Sequence, residues 1–358
     1  MIGSRHPQPT KPMKFLLTLP LLLIAWTAPL RAQEAPDQFP EAGAREENYV
    51  MKVTARVIDE KGNPLAETPI RIGIHNVNDY QDEYNDFRGV TDAQGNFSAE
   101  GVGRGLAKIE VKQEGYYPSE KTVTCYEGTA EELRQTGKFS PWNPVVDLMI
   151  KKVGEPIPML VRRGNRCKSW IRPTAKQIGR ELGWDLVEGD WVFPEGKGKV
   201  ADLILKFGLS RTDDLNHSAK VDIKMGNPDD GFIVLEELKG EESLLSSPRL
   251  APANGYIVKD LGYTWEFNDG NLTRLPLEMP KGYLFRLRTM KDESGRITSA
   301  IFGKITKPFD FQASSIGDGS HQVNFDYYLN PTPNDRNLEY DQKNNLAPEA
   351  DKDLRWPP

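Results

Sequence analysis

Histidine and cysteine are scarce: four His and two Cys stand among 358 residues. Only His75, His217 and His321 lie beyond the N-terminal segment, and none begins an H-E-x-x-H helix, so no zinc-protease motif is written here. All three fit surface or hydrogen-bonded histidines. A G-x-S-x-G nucleophile elbow is missing as well. Gly196-Lys197-Gly198-Lys199 lacks the GK[ST] ending of a phosphate loop and precedes a strand pattern, so it fits a turn. Positive charge is also short. Lys and Arg number 46 against 52 Asp and Glu, a net charge of −6. That balance argues against nucleic acid and anionic membranes as partners. Past residue 26 no apolar run approaches the ~20 residues of a membrane span.

One apolar run does exist. Met13-Lys14 leads into Phe15–Trp26, and a small residue, Ala32, follows. A positive start, a short apolar centre and a small exit residue predict a signal peptide over 1–32. The competing reading is an uncleaved anchor. The segment carries Arg5, Lys11, Lys14, Arg31 and no acid, so its removal lowers the net charge by four, from −6 to −10. The expected product is exported, periplasmic or extracellular, and not membrane-spanning after cleavage. In an oxidising compartment Cys125 and Cys167 have two readings: a disulfide, or two thiols. A bridge would close a loop of about 42 residues and restrict the unfolded chain by roughly 4 kcal/mol.

Residues 33–48 are polar, with Pro36 and Pro40, and fit a disordered leader. From Met51 apolar and polar residues alternate: Met51, Val53, Ala55, Val57; then Ile70, Ile72, Ile74; then Ala107, Ile109, Val111. Such alternation predicts half-buried strands. Gly62-Asn63-Pro64 and Ala93-Gln94-Gly95-Asn96 supply turns. Thr129 and Glu132 have capping-box spacing and predict a short helix. The first domain is expected over 49–152, and Gly154–Pro158 is the expected linker. Alternation resumes at Leu203, Leu205, Phe207; at Val221, Ile223, Met225; at Tyr283, Phe285, Leu287; and at Val323, Phe325, Tyr327, Leu329. Ser294-Gly295 reads as a hairpin turn. A second, mainly β domain is expected over 153–341. Thr174–Leu182 is a helix candidate despite Gly179. Residues 342–358 are expected to be a loosely ordered tail. The fold class is therefore all-β, a sandwich followed by a larger β domain.

The stretch Met51–Cys125, with VTARVIDEKGNPLAETPIRIGI, GVTDAQGNF and LAKIEVKQEGYYPSEKTV, resembles the carboxypeptidase regulatory-like domain. That resemblance implies a transthyretin-like (prealbumin-like) β-sandwich used for binding, spacing or stabilising. Gly183–Leu205 and Phe325–Asp341 resemble segments of uncharacterised secreted bacterial proteins, which implies export and architecture but no activity. The zinc domain that often accompanies the module has no counterpart here.

Four candidate ligand-binding aromatics follow from the second domain: Trp184, Trp191, Tyr263 and Trp265. Flat rings among polar groups hold sugars, although Trp and Tyr also fill β cores. Core is the stronger reading for most of the second domain's aromatics, a set that also holds Trp170 and Tyr256, but Tyr256-Ile257-Val258 and Tyr263-Thr264-Trp265 sit among Gly and Asn, where one or two exposed rings are expected. Asp79, Asp82 and Asp86 offer hard oxygen ligands for Ca²⁺, against the stronger reading of a solvated loop. Asp185, Glu188 and Asp190 cluster between two tryptophans and are the carboxylates a hydrolase would draw on. The expected function is non-catalytic binding or scaffolding without a cofactor. The expected partner is a polysaccharide, by analogy with starch-binding-type folds, or a cell-envelope protein. The alternatives are a hydrolase with a carboxylate pair and a purely structural envelope component.

Overall fold

The computed structural model describes residues 49–78, 81–162, 171–314 and 320–347; of Val77, Asn78, Gln81, Asp82 and Lys307 it describes the backbone only. The expected signal peptide, the leader, Asp79, Cys167 and Trp170 lie outside these residues. Among the described residues no helix is long and apolar enough to cross a membrane.

The protein is all-β, as expected. The first seven strands are β1 (Tyr49–Ile58), β2 (Pro69–Asn78), β3 (Gln81–Val90), β4 (Asn96–Gly103), β5 (Leu106–Val111), β6 (Ser119–Thr124) and β7 (Val145–Met149). They form two sheets, ordered β4-β1-β7 and β3-β2-β5-β6. The alternating residues face one another between them. Met51, Val53, Ala55 and Val57 bury fully against Ile72, Ile74 and Ile109. Each such side chain contributes about 1.5–3 kcal/mol of burial. Helix α1 (Ala130–Thr136) follows β6. Its capping box forms: Glu132 N donates to Thr129 Oγ1 at 3.2 Å, and Thr129 N donates to Glu132 Oε2 at 2.8 Å.

One turn is used three times. Asp59, Asp92 and Asp292 each stand three residues before a glycine, Gly62, Gly95 and Gly295, with φ of 84°, 77° and 82°. In each, the glycine N–H donates to the aspartate carbonyl, and the aspartate carboxylate accepts two further backbone N–H groups. The side chains of Asn63 and Ser294, which donate to Asp59 and Asp292, together with these backbone groups hold the two carboxyls below their ordinary range. The sequence marks the glycines; the preceding Asp, which fixes the turn, is the less obvious half of the signal.

The remaining strands are β8 (Ile157–Arg162), β9 (Glu181–Asp185), β10 (Asp190–Trp191), β11 (Leu203–Arg211), β12 (His217–Met225), β13 (Gly231–Leu235), β14 (Asp260–Asn268), β15 (Asn271–Leu275), β16 (Gly282–Lys291), β17 (Ile297–Ala313), β18 (His321–Asn330) and β19 (Tyr340–Asn345). They make two six-stranded sheets, ordered β10-β9-β11-β12-β14-β15 and β13-β16-β17-β18-β8-β19. Leu203, Leu205, Phe207, Val221 and Ile223 pack against Phe285, Leu287, Phe325 and Tyr327. The second sheet is covered on its other face too, where Ala251, Tyr256 and Leu338 meet Leu284, Phe302 and Tyr328.

Three expectations are corrected. Thr174–Leu182 is not a helix: turns run through it, Gly179 takes φ +85°, and Glu181 already opens β9. The tail is ordered further than position 341. β19 pairs in parallel with β8, and the Asn345 side chain accepts from Val161 N at 2.9 Å and donates to Val161 O at 3.0 Å, so an amide side chain replaces a strand peptide. The stretch around Tyr84 is a strand rather than a solvated loop, because β3 stays in register with β2 from Pro69↔Val90 to Asn78↔Gln81.

The two sandwiches are joined through polar groups. The Glu339 side chain is fully buried and accepts from Tyr117 Oη at 2.6 Å, Gly154 N at 2.8 Å and Arg249 Nη1 at 2.6 Å. Burial alone would raise its carboxyl; Tyr117, Arg249 and Gly154 N outweigh burial and hold it below the ordinary value. Residues 242–244 run along β6, with Glu120 N to Glu242 O at 3.0 Å and Leu244 N to Pro118 O at 2.8 Å.

Candidate functional site

The four aromatic candidates separate. Trp184 and Trp191 are 5 % and 8 % exposed, and their rings meet edge to face at 5.1 Å. They are directly paired across β9 and β10. Both rings are core filling, not a platform open to solvent.

The carboxylates beside them are occupied as well. Asp185 accepts the backbone N–H groups of Val187, Glu188, Lys199 and Val200 at 2.9–3.1 Å. Gly198 lets the chain pass this close, since a Cβ there would lie 2.8 Å from that of Asp185. Arg288, at φ +52°, bridges Asp185 at 2.9 Å and Asp202 at 2.8 Å. Burial pushes the Asp185 carboxyl up, and the backbone donors with Arg288 more than offset it, so it lies below its ordinary range. Asp202 has one backbone donor, Leu186 N, and there burial wins and raises the carboxyl despite Arg288. The pair thus clamps the two sheets together, because Asp185 ends β9 and Arg288 belongs to β16 of the other sheet. Glu188 pairs with Lys199, and Asp190 accepts from Lys197 N.

Of the calcium candidates, Asp86 is described, and Arg71 and Arg88 both hold it. Those cations keep its carboxyl low and take up the oxygens a metal would need. Among the described residues no cluster of three or more His, Cys, Asp or Glu is placed to hold a metal. Cys125 is a free, buried thiol whose burial pushes it up to about 11; its expected partner Cys167 lies outside the described residues.

Tyr263 and Trp265 sit elsewhere, on the opposite edge of the same sheet. β14 alternates Tyr263, Trp265 and Phe267 on its inner face. Tyr263 is buried, and its hydroxyl shares a 2.8 Å hydrogen bond with Tyr283. Trp265 is only half-buried. Arg274 stands directly opposite it on β15, with its guanidinium 4.5 Å from the indole centroid. Beyond them lies a cleft of about 530 Å³. Tyr263, Trp265, Arg274, Leu277 and Met279 line it, and β17 adds Asp310 and Phe311, the Asp310 carboxylate accepting from Gln312 Nε2 at 2.7 Å. Leu277 is 81 % exposed and Met279 44 %. The cleft exists because β15 is an outer strand whose five residues are all exposed. The core closes over Tyr263 and stops short of Trp265. An apolar aromatic floor with one arginine, Arg274, and one carboxylate, Asp310, can bind a flat, partly apolar ligand; nothing there presents an activated nucleophile or a paired acid and base.

No family model matches the chain, and no curated protein matches it. Solved structures show remote likenesses. A 3-chlorocatechol 1,2-dioxygenase from Rhodococcus opacus 1CP is 12 % identical over 30 % of this chain and 61 % of its own, with a TM-score of 0.23. The chain thus spans about three fifths of that enzyme's length. A proposed carbohydrate-binding protein from Bacteroides uniformis is 9 % identical over 78 % of this chain and 97 % of its own, with a TM-score of 0.18. The major pilin subunit of Bacillus cereus is 10 % identical over 77 % and 95 %, with a TM-score of 0.20. Likenesses this remote carry no functional conclusion for the chain.

Proposed function

We propose that this is an exported, non-catalytic binding protein, that its ligand is a carbohydrate, and that the Trp265 cleft receives it. The half-buried indole carries the proposal. It is an aromatic ring in a concave site with the Arg274 guanidinium 4.5 Å from its centroid, so a sugar would pack on the indole's exposed margin and the apolar lining around it. The first sandwich then serves as support, joined to the second through Glu339 and Arg249. The domain division near 152–153 and the export signal belong to the same proposal. The hydrolase alternative loses weight because Asp185 is saturated by backbone donors and Arg288.

The test is affinity electrophoresis and a glycan array on the chain from residue 33, with Trp265→Ala beside it. Retention by a polysaccharide, weakened about tenfold or more in the variant, is the expected outcome. Binding that Trp265→Ala leaves intact would move the site elsewhere, and no binding to any glycan would end the carbohydrate proposal.

A further inference from the structure

The cleft contains a charge that its structure does not use. Arg274 is exposed and lies over Trp265 at 4.5 Å. Among the described residues no carboxylate pairs with its guanidinium and no hydrogen bond is made by it. The contrast with other arginines is direct. Arg71, Arg249 and Arg288 are each shared between two carboxylates. Arg274 is instead held by a ring face. A guanidinium over a ring face contributes about 0.5–1 kcal/mol at an exposed site and leaves its N–H donors available to a ligand.

We infer that the ligand of this cleft is an acidic polysaccharide, one whose sugar carries a carboxylate, with Arg274 as the residue that selects it. This rests on the carbohydrate proposal and narrows it. The register places Arg274 and Trp265 side by side on one face of a two-stranded edge. Both residues line the one cleft, so a sugar ring seated there brings a ring substituent within reach of the guanidinium. A planar carboxylate matches the planar fork in a bidentate pair, which a hydroxymethyl group cannot reproduce. The chain's net charge of −6 works against long-range capture of a polyanion, and the Asp310 carboxylate in the same cleft confines an acidic group to the Arg274 side. Selectivity must therefore come from the local pair, with a modest salt dependence rather than the steep one of a basic groove.

Polygalacturonate, its carboxyl-reduced form and dextran are the probes, measured by affinity electrophoresis and calorimetry against the wild-type chain, Arg274→Ala, Arg274→Lys and Trp265→Ala. Retained folding is checked by far-UV circular dichroism and the melting temperature. The expected result is binding of polygalacturonate, at least about tenfold weaker binding of the reduced polymer, and a similar loss in Arg274→Ala. Arg274→Lys should recover part of the affinity, since it keeps the charge and loses the fork. Equal binding of the acid and reduced polymers, or an Arg274→Ala variant that binds as wild type, would overturn the inference while the carbohydrate proposal stands. Binding of dextran alone does the same. Binding of none of the three, together with a blank glycan array, removes both.

Discussion

The two edges of one sheet in the second sandwich make opposite use of tryptophan. At the β9–β10 edge, Trp184 and Trp191 are buried together. At the β14–β15 edge, Trp265 is left half-open beside a cleft. The residue type is the same, and so is the period-2 pattern. What differs is the closure across to the other sheet. At the first edge Arg288 ties Asp185 and Asp202 to β16, and Tyr327 Oη donates to Leu186 O at 2.7 Å. At the second edge β15 is exposed along its length. An aromatic is core or surface according to whether something clamps the layer above it.

The sharpest way to break this comparison is to open the closed edge. Arg288→Ala leaves two carboxylates at 2 % and 0 % side-chain exposure without their shared cation. A loss upwards of about 4 kcal/mol is expected from urea unfolding. A cost below about 1 kcal/mol would show that the clamp does not hold the sheets. The next test compares the tryptophans directly. Trp191→Ala should cost about 3 kcal/mol as a cavity forms, whereas Trp265→Ala should cost about 1 kcal/mol or less. Equal costs would mean that the two edges are equally packed.

A pH test separates the cleft from the strand that forms its wall. Lys304 lies on β17, fully buried, with Nζ donating to Ser247 Oγ at 2.8 Å over the Tyr328 ring. Burial pulls its ammonium down from 10.5 to about 7; Glu339 raises it and Lys151 lowers it further. Between those two values the unfolded chain keeps the proton and the folded chain releases it. Stability therefore rises with pH between about 7 and 10.5, by up to about 1.4 kcal/mol per pH unit, and is flat below. Melting curves at pH 7 and pH 9 should show this rise, and Lys304→Met should abolish it while leaving ligand binding at Trp265 unchanged. An unaltered pH slope in the variant would remove Lys304 as its source.

Much of the fold was legible. The alternation from Met51 and from Leu203 placed the inner faces correctly, because a strand with one buried face must alternate. The Thr129 capping box was legible because it is a local contact. Thr174–Leu182 misled because its residues favour helix in isolation, while pairing of Glu181–Asp185 with β11 decided the local structure. The order of β19 was hidden because its partner, β8, lies far away in sequence and Asn345 supplies the hydrogen bonds. Of the candidate site, Trp265 and Tyr263 were visible as aromatics; Arg274 was not singled out, because its place opposite Trp265 follows from hairpin register. An Asn-Asp-Gly-Asn turn between β14 and β15 was the available signal, since it fixes that register.

By itself the sequence determined the all-β class, the turns and which face of each strand is apolar. These depend on neighbours within a few residues and on the two-residue period of a strand. Only the tertiary structure decided which tryptophans are core, which carboxylates are spent on the fold, and that Arg274 lies against a ring rather than a carboxylate. Those outcomes depend on what another sheet, many residues away, brings across to meet them.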